Sequence, residues 1–233
     1  MKCEDTSVML SIKPIAYIHS DFSEKFGIPR QSGLVDSLQA KIIFTEEFRN
    51  GDCIRGIEEF SHLWLIWEFS KNQRDKWTPT VRPPRLGGNK RKGVFASRAP
   101  FRPNPLGLSC VRLEKAVPNS PEGPILYVSG ADLLDGTPIY DIKPYLSFAD
   151  AHPDALGSFS TKALEHRLNV HCEDALLHLI PKEKRQSLLD SRPSYQHDPE
   201  RIYGMQYAGF DIHFSVNAND LFVTEVIPSH EKQ

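Results

Sequence analysis

Proline and glycine cut the stretch from Ile12 to Ala149 into short apolar runs, and this punctuation leaves little room for long helices. The runs that survive have strand length: Ile12–His19, Ala40–Phe44, His62–Phe69, Gly93–Arg98, Leu108–Val117, Ile125–Ala131 and Pro138–Ile142. One short helix fits around Asp52–Phe60. Asp135-Gly136 predicts a hairpin turn between the last two strands, because glycine tolerates positive φ. Many short strands without alternating long helices predict a mainly β fold, a small barrel or sandwich, and not a doubly wound sheet.

The texture changes after Pro153. Ser160 to Leu179 reads as helix, with apolar positions at Leu164, Leu168, Ala175, Leu176 and Leu179. Lys182 to Leu189 predicts a second short helix after the break at Pro181. Ile202–Val216 and Leu221–Ile227 read as two strands around the turn-rich Asn217-Ala218-Asn219-Asp220. The expected organisation is a mainly β domain, barrel or sandwich, over residues 1–150 and a small α+β domain over residues 151–233. The chain shows no internal repeat and no low-complexity linker.

Several classes are disfavoured early. The longest apolar stretch, Leu63 to Trp67, is far too short to cross a bilayer, and the first residues lack the apolar core of a secretory signal. The cytoplasm is the expected compartment. Cys3, Cys53, Cys110 and Cys172 form no CxxC pair, and the nine histidines include no HExxH, so neither a disulfide framework nor a metal is expected.

The net charge of −2 hides an uneven distribution. Between Lys76 and Leu113 stand nine basic residues and no Asp or Glu, which leaves nineteen basic against thirty acidic residues, or −11, for the rest. A solubilising surface usually mixes both signs. A segment at +9 in a body at −11 suits a polyanion, whose phosphates release counterions when neutralised.

Within that segment lie Arg82-Pro-Pro-Arg-Leu-Gly-Gly-Asn89 and the run from Gly93 through Arg98 and Arg102 to Gly107. Proline and glycine make this a shaped loop, and guanidiniums on a stiff loop fork onto phosphates or carboxylates. It is not a P-loop: Gly88 and Gly93 have the spacing, but Val94 and Phe95 stand where Lys and Ser/Thr are required. No GxGxxG occurs, which argues against a Rossmann-type enzyme. Trp64 and Trp67 read as packing groups, and Trp77, beside the basic segment, as a stacking candidate.

Four blocks carry a family resemblance. They are Phe26-Gly-Ile-Pro-Arg-Gln31 with Ser32-Gly33-Leu34; Gly56-Ile-Glu-Glu-Phe-Ser-His62-Leu63-Trp64; the Arg82 to Asn89 and Gly93 to Arg98 pair; and Phe101-Arg-Pro-Asn-Pro-Leu-Gly107. Asp132-Leu-Leu-Asp-Gly-Thr-Pro138 and Asp141-Ile-Lys-Pro-Tyr145 follow in order. Together they make the first 150 residues or so resemble the TsaA-like (TrmO) family of tRNA methyltransferases. Asp190 to Tyr195 extends the likeness to longer bacterial members.

The resemblance implies a small non-Rossmann β-barrel that pairs as a homodimer and binds S-adenosylmethionine near the dimer interface. It implies methyl transfer to N6 of N6-threonylcarbamoyladenosine, immediately 3′ of the anticodon in certain tRNAs. By motif, the cofactor pocket is expected to involve Pro29, Arg30, Gln31, His62, Leu63, Arg98, Leu108, Asp132, Leu133, Leu134 and Asp135. The tRNA contacts are expected from Arg82, Arg85, Lys90, Arg91 and Arg102, with Arg192 and Tyr195 in the tail.

Methyl transfer from a sulfonium is a direct displacement, so in-line positioning must supply most of the catalysis. Arg98 and Arg102 are both candidates to stabilise the urea oxygen or hold the threonyl carboxylate, and no general base is evident. The stacked target adenine must be splayed out to be reached. Two alternatives stand beside this reading: a non-catalytic RNA-binding barrel, and a methyltransferase with a substrate other than tRNA.

Overall fold

The computed structural model describes residues 10–72, 76–83, 90–157, 168–190 and 201–229. The first strands are β1 (Ala16–His19), β2 (Gln39–Phe44) and β3 (His62–Glu68). A two-stranded ribbon follows, β4 (Thr80–Val81) with β5 (Lys92–Gly93), and then β6 (Leu106–Val117), β7 (Ile125–Ser129) and β8 (Thr137–Pro144). Six of them close a barrel in the order β1-β2-β7-β6-β3-β8, and every pairing is antiparallel. Closure removes exposed strand edges.

Strict alternation decides what the barrel encloses. In β3 the residues Leu63, Leu65 and Trp67 are buried while their neighbours are only partly covered. They meet Ala16, Ile18, Ile42, Phe44, Val111, Leu126, Val128, Leu133 and Ile139 in one core. Each such aliphatic side chain contributes on the order of 1.5–3 kcal/mol when fully buried.

The remaining described chain forms a second layer. β9 (Asn169–His171), α2 (Asp174–Leu177) and α3 (Lys182–Asp190) lead into β10 (Tyr203–Tyr207), β11 (Phe210–Asn217) and β12 (Asp220–Pro228); α1 (Ser147–Asp150) is a single turn after β8. The sheet order is β10-β11-β12-β9, with β9 parallel to β12. Its core contains Met205, Tyr207, Ile212, Phe214, Val226, Ile180 and Leu188, together with Phe22, Val35 and Leu38 from the long β1–β2 connection.

Six elements differ from their expected form. Ile12–His19 shortens to Ala16–His19, since Pro14 lacks a donor for the ladder. The helix expected at Asp52–Phe60 is two 3₁₀ turns, Gly51–Ile54 and Ile57–Glu59, separated at Gly56, whose φ of 80° is left-handed. Gly93–Arg98 is not a strand. The Val94 amide donates to Pro79 O (3.0 Å), and the buried Val94 then starts a 3₁₀ turn closed by Ser97.

The Asp135-Gly136 turn forms, with Gly136 at φ 72°, but it joins no hairpin. β7 pairs with β2 and β6, β8 pairs with β1 and β3, and the turn's amides donate to Phe22 O and Ile18 O. In the described part of Ser160–Leu179 the chain is strand and one helical turn. Val170 pairs with Leu221, and the apolar gap from Leu168 to Ala175 does not hold a helical stripe. Ile202–Val216 is a hairpin, turning at Ala208 (φ 52°) and Gly209 (φ 81°). The Lys182–Leu189 helix and the turn between Asn217 and Asp220 take their expected form.

Candidate active site

Five stretches of chain converge at one end of the barrel around a cavity of about 540 Å³. They are the loop from Lys25 to Gln31, the end of β3 running on to Lys71, the loop from Ser97 to Asn104, the start of β6, and the segment holding Asp132, Leu134 and Thr137. The volume is in the usual range for a small-molecule or cofactor site.

One wall begins with a close approach. A Cβ on Gly107 would fall 2.4 Å from Trp67 Cε2, so only glycine lets the indole lie against β6. Trp67 Nε1–H donates to Ser109 Oγ (2.9 Å), and the Ser109 hydroxyl donates to Asp132 Oδ1 (2.6 Å). The indole can only donate and the hydroxyl has one proton, so this relay runs one way, toward Asp132. Burial pushes the Asp132 carboxyl above its ordinary value. The Ser109 hydrogen bond, the amides of Asp132 and Ser32, and the Arg98 charge pull it partly back.

The rim is cationic. Among the described residues, Lys25, Arg30, Lys71, Arg98 and Arg102 line the cavity, against the two carboxyls of Glu68 and Asp132. Arg98 Nη1 donates to Gln31 Oε1, and Gln31 Nε2 donates to Arg30 O, which ties two loops together across the mouth. Arg102 folds onto its own loop, donating to Ser97 O (3.0 Å) and lying 6.0 Å from the Phe95 ring centroid. Ser32 Oγ accepts from the Cys110 amide (3.0 Å) and fixes the first loop to β6. The Tyr140 hydroxyl donates to Glu68 Oε2 (2.5 Å). Burial, followed by this bond, lifts its phenol to about 12.

Of the residues expected in a cofactor pocket, Pro29, Arg30, Gln31, Arg98, Leu108, Asp132 and Leu134 line this cavity. Leu63 and Leu133 are buried in the barrel core. His62 starts β3, about 17 Å along the strand from Trp67 at ordinary strand rise, with its Nδ1 2.9 Å from Ser61 Oγ. Asp135 caps the turn beyond the cavity, where its Oδ1 accepts from the Ser20 amide (3.1 Å) and lies 3.4 Å from His19 Nδ1.

Arg102 lines the cavity, while Arg82, Lys90 and Arg91 are exposed on and beside the β4–β5 ribbon. Arg85, Arg192 and Tyr195 lie outside the described residues. Sequence reasoning passed over Trp67 as a wall residue, and Ser109, Glu68, Lys25 and Lys71 entirely. Ser109 left a readable trace: it is a polar residue at an inward position of an apolar strand.

Comparison with known proteins extends this geometry. The tRNA-methyltransferase O N-terminal domain profile matches residues 17–151, and the TrmO C-terminal domain profile matches residues 160–229. The chain belongs to the tRNA-methyltransferase O family.

Among its relatives is the Escherichia coli K12 protein named tRNA (adenine(37)-N6)-methyltransferase, 40% identical over 215 residues, covering 87% of this chain and 91% of the relative. A Pseudomonas aeruginosa PAO1 protein named putative S-adenosylmethionine-dependent methyltransferase RcsF is 40% identical over 223 residues, covering 91% and 94%. The crystal structure of TrmO from P. aeruginosa superposes with a TM-score of 0.76 at 31% identity, covering 97% of this chain and all of that one. The N-terminal match of this family member contains the whole cavity lining, and the C-terminal match contains β9 to β12.

Proposed function

We propose that this protein uses S-adenosylmethionine to methylate N6 of the adenine immediately 3′ of the tRNA anticodon, in its N6-threonylcarbamoyl form. The observation that carries the reading is one cavity that combines both signs of charge at the head of the acid-free basic segment. Its carboxyls suit a cationic donor, and its five cations suit an acceptor bearing a carboxylate within a phosphate backbone.

In this reading Pro29, Arg30, Gln31, Arg98, Leu108, Asp132 and Leu134 hold the donor. Arg98, which reaches across the mouth, is favoured over the folded-back Arg102 for contact with the reacting group. Arg82, Lys90 and Arg91 hold phosphates. The barrel of residues 1–150 is the catalytic unit, and residues 151–233 support it.

The active form is a homodimer. Leu108, half exposed at 50%, and Leu106 stand at the cavity edge; Ile66 is the cross-strand neighbour of Leu108, and Phe148 is 87% exposed. A second copy would cover this apolar outer face. Among the described residues no helix is long and apolar enough to cross a membrane, and the expected place of action is the cytoplasm, with its tRNA.

Mass spectrometry of tRNA nucleosides from cells lacking the gene tests the reading. The methylated threonylcarbamoyl nucleoside is expected to vanish while its unmethylated parent accumulates. An unchanged nucleoside profile overturns the assignment. A purified protein that binds tRNA and ignores the methyl donor would instead be a non-catalytic RNA-binding barrel.

A further inference from the structure

We infer that Asp132 takes the proton that leaves the acceptor nitrogen as the methyl group arrives; this assignment deepens the methyltransferase reading above and rests on it. A urea-type N–H that gained a methyl while keeping its proton would end as a cation on a delocalised nitrogen. The proton must therefore depart, and a positioned base accelerates such a step by roughly 10²–10⁴-fold.

The cavity restricts the choice. Among the described residues no histidine lines it, and the carboxyls are Glu68 and Asp132. Glu68 already accepts the Tyr140 phenol proton donor at 2.5 Å. A carboxylate offers about four acceptor sites, and at Asp132 the Ser109 hydroxyl occupies one at 2.6 Å, which leaves room for a further donor.

The relay from Trp67 through Ser109 holds the carboxylate at a fixed angle without offering it a transferable charge. The charged groups facing it are Arg98 from the 97–104 loop, with Arg102, Arg30, Lys25 and Lys71 further around the rim and Glu68 on β3. β6 contributes Leu106, Gly107 and Leu108 to this wall, with Ser109 behind it on Asp132, none of them titratable near neutrality.

The step balances. The S–CH₃ bond breaks with its electron pair going to sulfur, the N6–CH₃ bond forms, and the N6–H bond breaks with its proton passing to Asp132. A sulfonium and a carboxylate enter; a neutral thioether and a neutral carboxylic acid remain, and the acid returns its proton to water on product release. Neutralising two opposite charges is favourable in a cavity that solvates charge poorly. Burial of Asp132 works in the same direction, since a carboxyl held above its ordinary range is a stronger base.

The test compares wild type with Asp132→Asn and Asp132→Glu. Calorimetry reads S-adenosylmethionine affinity, and single-turnover transfer at saturating donor, to tRNA carrying the threonylcarbamoyl adenine, is followed across pH. Asp132→Asn, which also removes a contact to the donor, is expected to weaken donor binding and, at saturating donor, still to lose about 100-fold or more in rate together with the acid limb of the profile. Asp132→Glu recovers part of the rate and keeps the limb.

A lost donor affinity with wild-type rate at saturation overturns the assignment and makes Asp132 a cofactor anchor. An unchanged rate also overturns it. If wild type binds donor and tRNA yet transfers nothing, the methyltransferase reading falls and takes this assignment with it. Should Asp132→Asn fail to fold, Ser109→Ala decides. Removing a hydrogen bond to the anion must move the acid limb to higher pH, and an unmoved limb overturns the proposal.

Discussion

The barrel end and the flat face of the second sheet are built from the same alternation, yet they treat charge in opposite ways. At the barrel end, loops from five parts of the chain converge and leave five cations and two carboxyls around one cavity. On the open face of the β9–β12 sheet, charges are matched within the sheet. His213 Nδ1 lies 2.8 Å from Glu225 Oε2 and its Nε2 3.6 Å from Asp211 Oδ2, while His171 Nε2 lies 2.8 Å from Asp220 Oδ1 and its ring stacks on Phe222. A pleated face pairs neighbours in register, whereas converging loops can hold charges for something that comes from outside.

The second sheet still bears on the site, through its other face. Phe22, Val35 and Leu38 lie in its core, and Phe26 and Ile28 pack against it, so it grips both sides of the loop that presents Pro29, Arg30 and Gln31. Gly27 permits this grip, with φ 94° and Met205 Sδ only 3.0 Å from where a Cβ would stand. The division of labour is therefore a barrel that forms the cavity and a sheet that holds one of its walls in place.

The largest effect should come from breaking that grip. Phe214 is fully buried and stacks on Phe26 and Tyr203. Phe214→Ala should cost about 3–5 kcal/mol of stability by chemical denaturation. Donor affinity should fall with it, although Phe214 does not line the cavity. Donor binding at wild-type strength in the folded variant would separate the two regions and end the scaffold role.

The next effect probes the rim itself. Arg98→Ala removes both the bond to Gln31 and the positive charge near Asp132. A lost charged hydrogen bond is worth about 1.5–3 kcal/mol, or roughly 10–100-fold in donor affinity by calorimetry. Gln31→Ala should show a smaller loss in the same direction. Wild-type binding by both variants would mean that the bridge across the mouth is only structural.

How much of this could be read beforehand depended on the range of the interactions. The barrel strands were legible because their alternation is local: Leu63, Leu65 and Trp67 announce an inward face within five residues. The β10–β11 hairpin was not, because Ala208 takes a left-handed φ without an Asn-Gly signal, held partly by its amide donating to Asp21 O far away in sequence. β9 was misread for a similar reason, since its strand form comes from pairing with β12 fifty residues on. In the site, Arg98, Asp132 and Gln31 stood out by motif. The Trp67–Ser109–Asp132 relay joins three strands or loops and exists only once the barrel closes.

A weaker perturbation tests whether the basic ribbon extends the barrel's side of the contrast. Arg82 is exposed just after β4, outside the cavity lining. If it contacts phosphate, Arg82→Ala should weaken tRNA binding by a few-fold and reduce the slope of log affinity against log salt by about one, with donor affinity unchanged. A slope equal to that of wild type would confine the electrostatic role to the rim.

The smallest effect belongs to the flat face, where the comparison expects almost nothing for the substrate and a definite sign for pH. Hydrogen bonds from His171, then Asn169, hold the Asp220 carboxyl below its ordinary value of 3.8. A carboxyl depressed in the folded state stabilises the fold above that ordinary value, and the contribution is lost as pH falls through the lower, folded one. Asp220→Asn should therefore flatten stability in the acid range, read as melting temperature against pH, and leave tRNA affinity at neutral pH where it was. The group is exposed, so the shift should be small. A marked loss of tRNA binding would mean that the sheet's open face touches the substrate. Charges paired in register could then still serve recognition, and the contrast between converging loops and flat sheet would fail at its weaker end first.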